Sequence, residues 1–318
     1  MVIVIIFLSS FCLIVYGGNK FVDSSMVIAK KLKIPSPIIG ATLVTIGTTM
    51  PELLVTIISN GANASGIAIG NAVGSIIFNT CIIGGVLIAF TRVKINRSSG
   101  LLLKLLLLCI VVLSVISINS KINYFEALIL LSLFFVFIVI NCKQSKASYN
   151  DYNITGNNSL FQAIVMFILS SLMLTFGAYY LVDCAKFFAR WANVSETIIG
   201  LTVVSLGTSL PELVTSILAI KKKEQSLGLG NVVGSNIINS TLLVGITGIN
   251  WTSAGVALSA TTSNLAIPFA LFSTIVFSAP ALLKKHTKRV YGILLMLIFA
   301  TYFILLNLST FNIIKIIQ

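Results

Sequence analysis

The chain repeats one polar phrase inside apolar sequence. Gly-Thr-Thr-Met-Pro-Glu stands at 47–52 and Gly-Thr-Ser-Leu-Pro-Glu at 207–212, an offset of 160 residues. The match holds at that single offset from about residue 17 to residue 80. Gly17 aligns with Gly177, Asp23 with Asp183, Gly40 with Gly200 and Glu52 with Glu212. Gly70-Asn71 aligns with Gly230-Asn231, Gly74-Ser75 with Gly234-Ser235, and Asn79 with Asn239. Apolar helices often look alike by chance, but shared polar residues at one fixed offset do not arise that way. The fold must therefore contain two related halves.

The composition says where those halves sit. Hydrophobic residues make up 57% of the chain and charged residues 9%, against roughly 25% charged in a soluble domain. Ten apolar runs are long enough to cross a bilayer, at about 2–18, 36–60, 66–91, 99–118, 123–141, 160–183, 196–220, 226–249, 254–283 and 290–308. The expectation is an all-α polytopic membrane protein with about ten transmembrane helices. Each repeat holds five helices, an odd number, so the second copy enters the membrane from the opposite side and the two five-helix repeats are inverted. Residues 1–141 form the first repeat and 160–318 the second, joined by a cytoplasmic linker over 142–159 rich in Ser, Asn and Asp. The first apolar run lacks a basic leader, since Lys20 is the first charged residue, so it reads as a membrane helix rather than a signal peptide.

The net charge of +13 reflects orientation in the bilayer rather than a nucleic-acid partner. With the N-terminus outside, 16 lysines and arginines fall in inner loops and 4 in outer segments, which places both termini outside. The five cysteines show no paired spacing and read as small buried apolar side chains. His286, the only histidine, falls in a basic loop, which argues against a histidine-based metal site.

The repeated phrases carry the chemistry. A carboxylate in hydrocarbon costs several kcal/mol by most estimates, and no basic residue lies deep in a predicted helix to pair with Glu52 or Glu212. Thr48 and Thr49 precede Glu52 by a helical turn and can share its face. Pro51 has no amide hydrogen and its ring clashes with the Gly47 carbonyl, so the helix breaks just before the glutamate and frees carbonyls near Thr45 to Thr48. Such a break is tolerated where it lines a cavity. Ser205, Thr208, Ser209, Pro211 and Glu212 repeat the pattern. On the third run, Ser75 and Asn79 share a face, and Gly70 and Gly74 allow close helix approach; Ser235, Asn239, Gly230 and Gly234 repeat this. Carboxylates, hydroxyls, amides and carbonyls are hard oxygen donors suited to Ca²⁺ or Na⁺. Asn71 and Asn231 read as packing or capping groups, Asn236, opposite Ile76, as packing, and Asp23 and Asp183 as solvated or capping residues near the interfaces.

These phrases, with Gly-Asn-Ala-Val-Gly-Ser-Ile-Ile-Phe-Asn at 70–79 and Gly-Asn-Val-Val-Gly-Ser-Asn-Ile-Ile-Asn at 230–239, resemble the alpha repeats of the sodium/calcium exchangers, in the cation/calcium antiporter superfamily. The resemblance covers nearly the whole chain and looks like the prokaryotic type. It implies a secondary antiporter exchanging Ca²⁺ for Na⁺ by alternating access, with helices 1 and 6 sliding against the other eight. It implies Glu52 and Glu212 as central ligands, with Thr48, Thr49, Ser75 and Asn79 completing one half of the site and Thr208, Ser209 and Ser235 the other. Carbonyls of Thr45 and Ser205 would serve Na⁺. Some prokaryotic relatives carry aspartate where this chain has Asn239, so this site holds two carboxylates, and K⁺ dependence and Na⁺ stoichiometry stay open. Calcium and sodium ions are then transported substrates, and no cofactor is expected. The expected setting is a prokaryotic plasma membrane, with lipid as the surroundings and a functional monomer. The nearest alternative is a proton-coupled calcium antiporter. An intramembrane hydrolase lacks a nucleophile–base pair, and broken inverted helices favour a carrier over a channel.

Overall fold

A computed structural model of the chain describes residues 2–32, 34, 36–61, 65–91, 95–145, 159–191, 205–249, 255–283 and 287–310. Almost all of it is helix. Among the described residues, eight helices are long and apolar enough to cross a membrane, or nine if one bent pair is taken as a single span. The first residues of the predicted seventh run, 196–204, lie outside the described residues, as do most of the expected linker and several of the basic loop residues.

Two helices are longer than the hydropathy pattern indicates. α1 spans Val2–Leu32, well past the expected end near residue 18, and α7 spans Leu160–Trp191, past the expected 183. Gly17-Gly18 and Asn19-Lys20 look like a stop signal, yet the helix continues because Phe21, Val22, Ile28 and Ala29 beyond them are buried. The glycines serve a crossing instead. A Cβ on Gly17 would press on Met173, and one on Gly177 would press on Ile14 and the Ser10 carbonyl. α1 and α7 therefore pack backbone-close along each other, with Phe21 stacked on Phe167 at 4.6 Å between ring centroids. Phe11, Tyr16, Phe176 and Tyr179 of the same pair are exposed, a face that suits lipid. At one end Lys222 reaches α1, with its ammonium 2.7 Å from Asp23 and donating to the Asn19 carbonyl at 3.0 Å. Asp23 is thus ion-paired as well as solvated.

The second apolar run is two helices. α2 (Pro37–Thr48) and α3 (Met50–Gly61) meet at a bend of 48°. They are followed by α4 (Ser65–Phe90), α5 (Arg97–Asn119) and α6 (Tyr124–Ser145). α5 opens on a capping box in which Asn96 and Ser99 exchange side-chain and backbone hydrogen bonds. After α7 come the short α8 (Ser205–Thr208), α9 (Leu210–Lys221), α10 (Gln225–Gly248), α11 (Thr262–Leu282) and α12 (Arg289–Thr310).

The chain is not wholly helical. β1 (Lys121–Ile122) pairs antiparallel with β2 (Val256–Ala257). This pairing delays the expected helix from 254: Gly255 sits at φ +70, where a side chain would be strained, and its Cβ would meet the Ile122 carbonyl.

α4 and α10 form the centre. Ile76, Ile77, Val232, Val233 and Ile237 are fully or almost fully buried and pack with Leu106 and Ile110 of α5 and Phe277 of α11. α10 also meets α2 at backbone contact. A Cβ on Gly40 would collide with the Leu227 carbonyl, and one on Gly230 with the Pro37 carbonyl. This is the close approach expected of the small-residue spacing. It holds the bend between α2 and α3 against the middle of the bundle.

Candidate functional site

Both helix breaks fall one residue before the short segment that carries the glutamate. Thr49 has φ −82 and ψ 6, and Ser209 has φ −87 and ψ 6, so each leaves helical geometry in the same way. Glu52 lies in the first turn of α3 and Glu212 in the first turn of α9, and neither is exposed at all.

The breaks do not free the carbonyls of Thr45 and Ser205 from the helix ladder. The Thr45 carbonyl still accepts the Thr49 amide at 2.8 Å, and the Ser205 carbonyl accepts the Ser209 amide at a longer 3.4 Å. Each also has a threonine hydroxyl of its own turn in reach, Thr48 at 3.4 Å from the Thr45 carbonyl and Thr208 at 3.2 Å from that of Ser205. The carbonyl displaced by the Pro51 ring is that of Gly47, and it accepts the Ser171 hydroxyl of α7 at 3.1 Å. Phe11 stands at the position related to Ser171, so the second break lacks this bond.

The hydroxyls cross between the repeats. Thr49 donates to Oε1 of Glu212 at 3.0 Å, and Ser235 donates to the same oxygen at 3.3 Å. Ser209 donates to Oε1 of Glu52 at 3.0 Å. Thr208 also faces Glu52, Thr48 also faces Glu212, and the two carboxylates are close enough to repel each other. The expected grouping of Thr48 and Thr49 with Glu52 is thus replaced by one with the glutamate of the other half. Helical spacing identifies which residues share a face, but not which helix that face meets.

The polar atoms left over are concentrated here. Oε2 of both glutamates, the Ser75 hydroxyl and both side-chain amide atoms of Asn79 and Asn239 are buried without a hydrogen-bond partner. Each such atom costs about 1–3 kcal/mol if nothing binds it. Among the residues whose burial is described, no lysine or arginine is buried. The set amounts to two carboxylate oxygens, two amides and a hydroxyl on four helices, a donor set that fits a hard cation.

Asn79 and Asn239 are also the first residues of five-residue π-helical turns, Asn79–Ile83 and Asn239–Leu243. Further π turns occupy Gly40–Val44 and Thr262–Ala266. Such bulges in α-helices frequently mark functional positions.

Asn71 and Asn231 are not caps. Both are mid-helix and buried. The Asn231 amide oxygen accepts the Thr48 hydroxyl at 3.1 Å, and the Asn71 amide oxygen accepts the Thr208 hydroxyl at 3.2 Å. The signal that could have found them was on the page: an asparagine at the same place in both repeats, each within an apolar run. Asn236 does more than pack, since it donates to the Thr80 hydroxyl at 2.7 Å and ties α10 to α4.

Comparison with known proteins gives one consistent family. A family model described as sodium/calcium exchanger protein matches residues 2–143 and 162–307. A sodium/calcium exchanger of Methanosarcina acetivorans, MaX1, is 30% identical over 95% of this chain and 97% of its own length. An uncharacterized membrane protein of Methanocaldococcus jannaschii is 34% identical over 75% of this chain and 80% of its own. Among solved structures, the sodium-calcium exchanger NCX_Mj soaked with Na⁺ and Sr²⁺ superposes with a TM-score of 0.82 at 28% identity, covering 94% of this chain and 97% of that one.

Proposed function

The chain belongs to the sodium/calcium exchanger family, and on that premise we propose that it carries Ca²⁺ and Na⁺ in opposite directions across the membrane through the Glu52–Glu212 site. The observation that carries the reading is the pair of fully buried glutamates, each with one carboxylate oxygen unpartnered and, among the residues whose burial is described, no buried lysine or arginine to pair with it. Two carboxylates offer a formal charge of −2, which one Ca²⁺ neutralises. Na⁺ ions use the same oxygens and cannot do so while Ca²⁺ occupies them. Thr48, Thr49, Ser75, Asn79, Thr208, Ser209, Ser235 and Asn239 complete the ligand set, with carbonyls of Thr45 and Ser205 available to Na⁺.

Coupling follows if an empty, charged site resists movement and a neutralised site does not. The moving part is the α1–α7 pair, sliding against the other helices in alternating access. Its glycine-lined crossing and its apolar outer faces support that assignment. The wider arrangement is ten spans in two inverted repeats, 1–141 and 160–318, joined by a cytoplasmic linker over 142–159. The protein acts as a monomer in a prokaryotic plasma membrane with both termini outside.

The deciding experiment is ⁴⁵Ca²⁺ uptake by proteoliposomes under an imposed Na⁺ gradient or an imposed pH gradient. A Na⁺ gradient should drive uptake. Uptake driven by the pH gradient alone, with Na⁺ without effect, would replace this reading with proton-coupled antiport. Protons should still inhibit, because a protonated carboxylate carries no charge to offer a cation. Na⁺-driven uptake is expected to fall as the pH is lowered from about 8 to about 5, across the range where carboxylates and their perturbed forms titrate. A flat profile would count against carboxylate ligands.

Asn239→Asp should change ion dependence more than folding. Asn239 is buried and neither of its amide atoms is bonded, so the substitution breaks no hydrogen bond. A third carboxylate must bind a proton or another cation to be tolerated there. The expected result is a steeper pH dependence or an altered Na⁺ requirement, with thermal stability in detergent within about 1 kcal/mol of wild type. A variant identical to wild type in both dependences would remove Asn239 from the site.

A further inference from the structure

A hydroxyl has two lone pairs but one proton, and a hydroxyl that coordinates a cation must turn that proton elsewhere. In water a solvent molecule accepts it, whereas in a buried site the protein has to supply the acceptor. Thr208 faces three: the Asn71 amide oxygen at 3.2 Å, the Ser205 carbonyl at 3.2 Å and the Glu52 carboxylate. Thr48 faces the corresponding three: the Asn231 amide oxygen at 3.1 Å, the Thr45 carbonyl at 3.4 Å and the Glu212 carboxylate. A cation seated against the carboxylate repels a proton aimed there. The carbonyls belong to the preceding turn and already accept the backbone amides of Thr49 and Ser209. The amide oxygens remain, and both come from a helix of the other repeat.

We propose that Asn71 and Asn231 are positioning residues of the ion site, whose amide oxygens draw the Thr208 and Thr48 protons away from the cation and leave the hydroxyl lone pairs and both carboxylates free to bind it. The inference rests on the reading of these threonines and glutamates as cation ligands. One further contact supports it. The Asn231 amide nitrogen donates to Thr215 at 3.2 Å, and Thr215 in turn donates to the Pro211 carbonyl at 2.8 Å. Turning the amide over would break that contact, so the oxygen is held towards Thr48. Val55 occupies the position related to Thr215, and the Asn71 amide nitrogen has no partner. Asn71 therefore contributes little beyond its oxygen, which makes it the cleaner residue to test.

The test measures the Ca²⁺ concentration for half-maximal Na⁺-driven uptake in proteoliposomes for wild type, Asn71→Leu, Thr208→Val and the double variant. Leucine keeps the branching and approximate volume of asparagine and removes the acceptor. Asn71→Leu should raise the half-saturating concentration about fivefold, the scale of one hydroxyl hydrogen bond. The double variant should be no worse than Thr208→Val alone, because Asn71 acts through that hydroxyl. A residue with a purely structural role would give multiplying effects instead. Half-saturation unchanged in Asn71→Leu or in Thr208→Val, or multiplying losses in the double variant, overturns the proposal. If Asn71→Leu does not reconstitute, Asn71→Ala and Asn71→Asp decide: alanine should weaken Ca²⁺ binding and aspartate, which retains an acceptor oxygen, should not, and equal weakening by both overturns the proposal. Wild-type vesicles without Na⁺-driven uptake would overturn the functional reading together with this one, whereas normal wild-type flux with an unaffected Asn71→Leu overturns this one alone.

Discussion

Glu52→Gln and Glu212→Gln each reduce Na⁺-driven Ca²⁺ uptake to background while the protein remains folded. Glutamine keeps the oxygen that accepts Ser209 in one case, and Thr49 and Ser235 in the other. Its amide nitrogen replaces Oε2, which has no partner in either residue. The hydrogen-bonded frame therefore survives, and a buried charge repelled by its neighbour is removed. What is lost is half of the charge available to Ca²⁺. Truncating one partner of a buried charge pair typically costs about 3–5 kcal/mol, a loss of at least about a hundredfold in affinity. Uptake should be tested on protein that elutes as a single species and melts at or above the wild-type temperature. Near-normal uptake by either variant would dismiss the carboxylates as the ion site.

Gly230→Val and Gly40→Val are expected to prevent stable folding. At these positions the obstacle is backbone: the Pro37 carbonyl and Ala41 amide face Gly230, and the Leu227 carbonyl and Asn231 amide face Gly40. A flexible side chain could move aside, but two packed helix backbones cannot. Overpacking in cores costs typically about 1–3 kcal/mol, and a backbone clash belongs at or above the top of that range. Gly66→Val is the matched control, because a Cβ there meets nothing within 4 Å. Yield of monodisperse protein and melting temperature in detergent should separate the three. Wild-type stability in Gly230→Val would mean that α2 and α10 do not cross at this distance.

Much of this was legible in the sequence because polar residues in apolar runs are few and their spacing is conspicuous. The fixed offset between Glu52 and Glu212 exposed both helix breaks, and the residues flanking them do gather around the two glutamates. The ends of α1 and α7 were not legible. Gly17, Gly18 and Asn19 weaken a helix in isolation, and only their contacts with a neighbouring helix show why it continues. The exchange of partners between halves was hidden for a similar reason: the spacing of Thr49 and Glu52 fixes their relative direction on one helix and says nothing of Glu212. Asn71 and Asn231 read as packing or capping groups because those are the usual roles of an asparagine early in an apolar run. Their actual partners lie 137 and 183 residues away in sequence.

The π turn that begins at Asn79 has a consequence for chain length. It places one extra residue in a helix that otherwise advances about 100° per residue. The segments on either side, Ser65–Phe78 and Gly84–Phe90, are therefore out of phase with each other by design of the count rather than of the composition. The first aims Asn71, Ser75 and Asn79 along one line. The second turns Gly84 towards Phe277, and Gly85 towards Gly292 and Leu295. Rewinding residues 79–83 into an ordinary ladder without removing a residue would swing the far segment through about 100°, pulling both glycines off their crossings. Every side chain could be kept and the fit still lost. Five residues here work as a spacer that sets an angle.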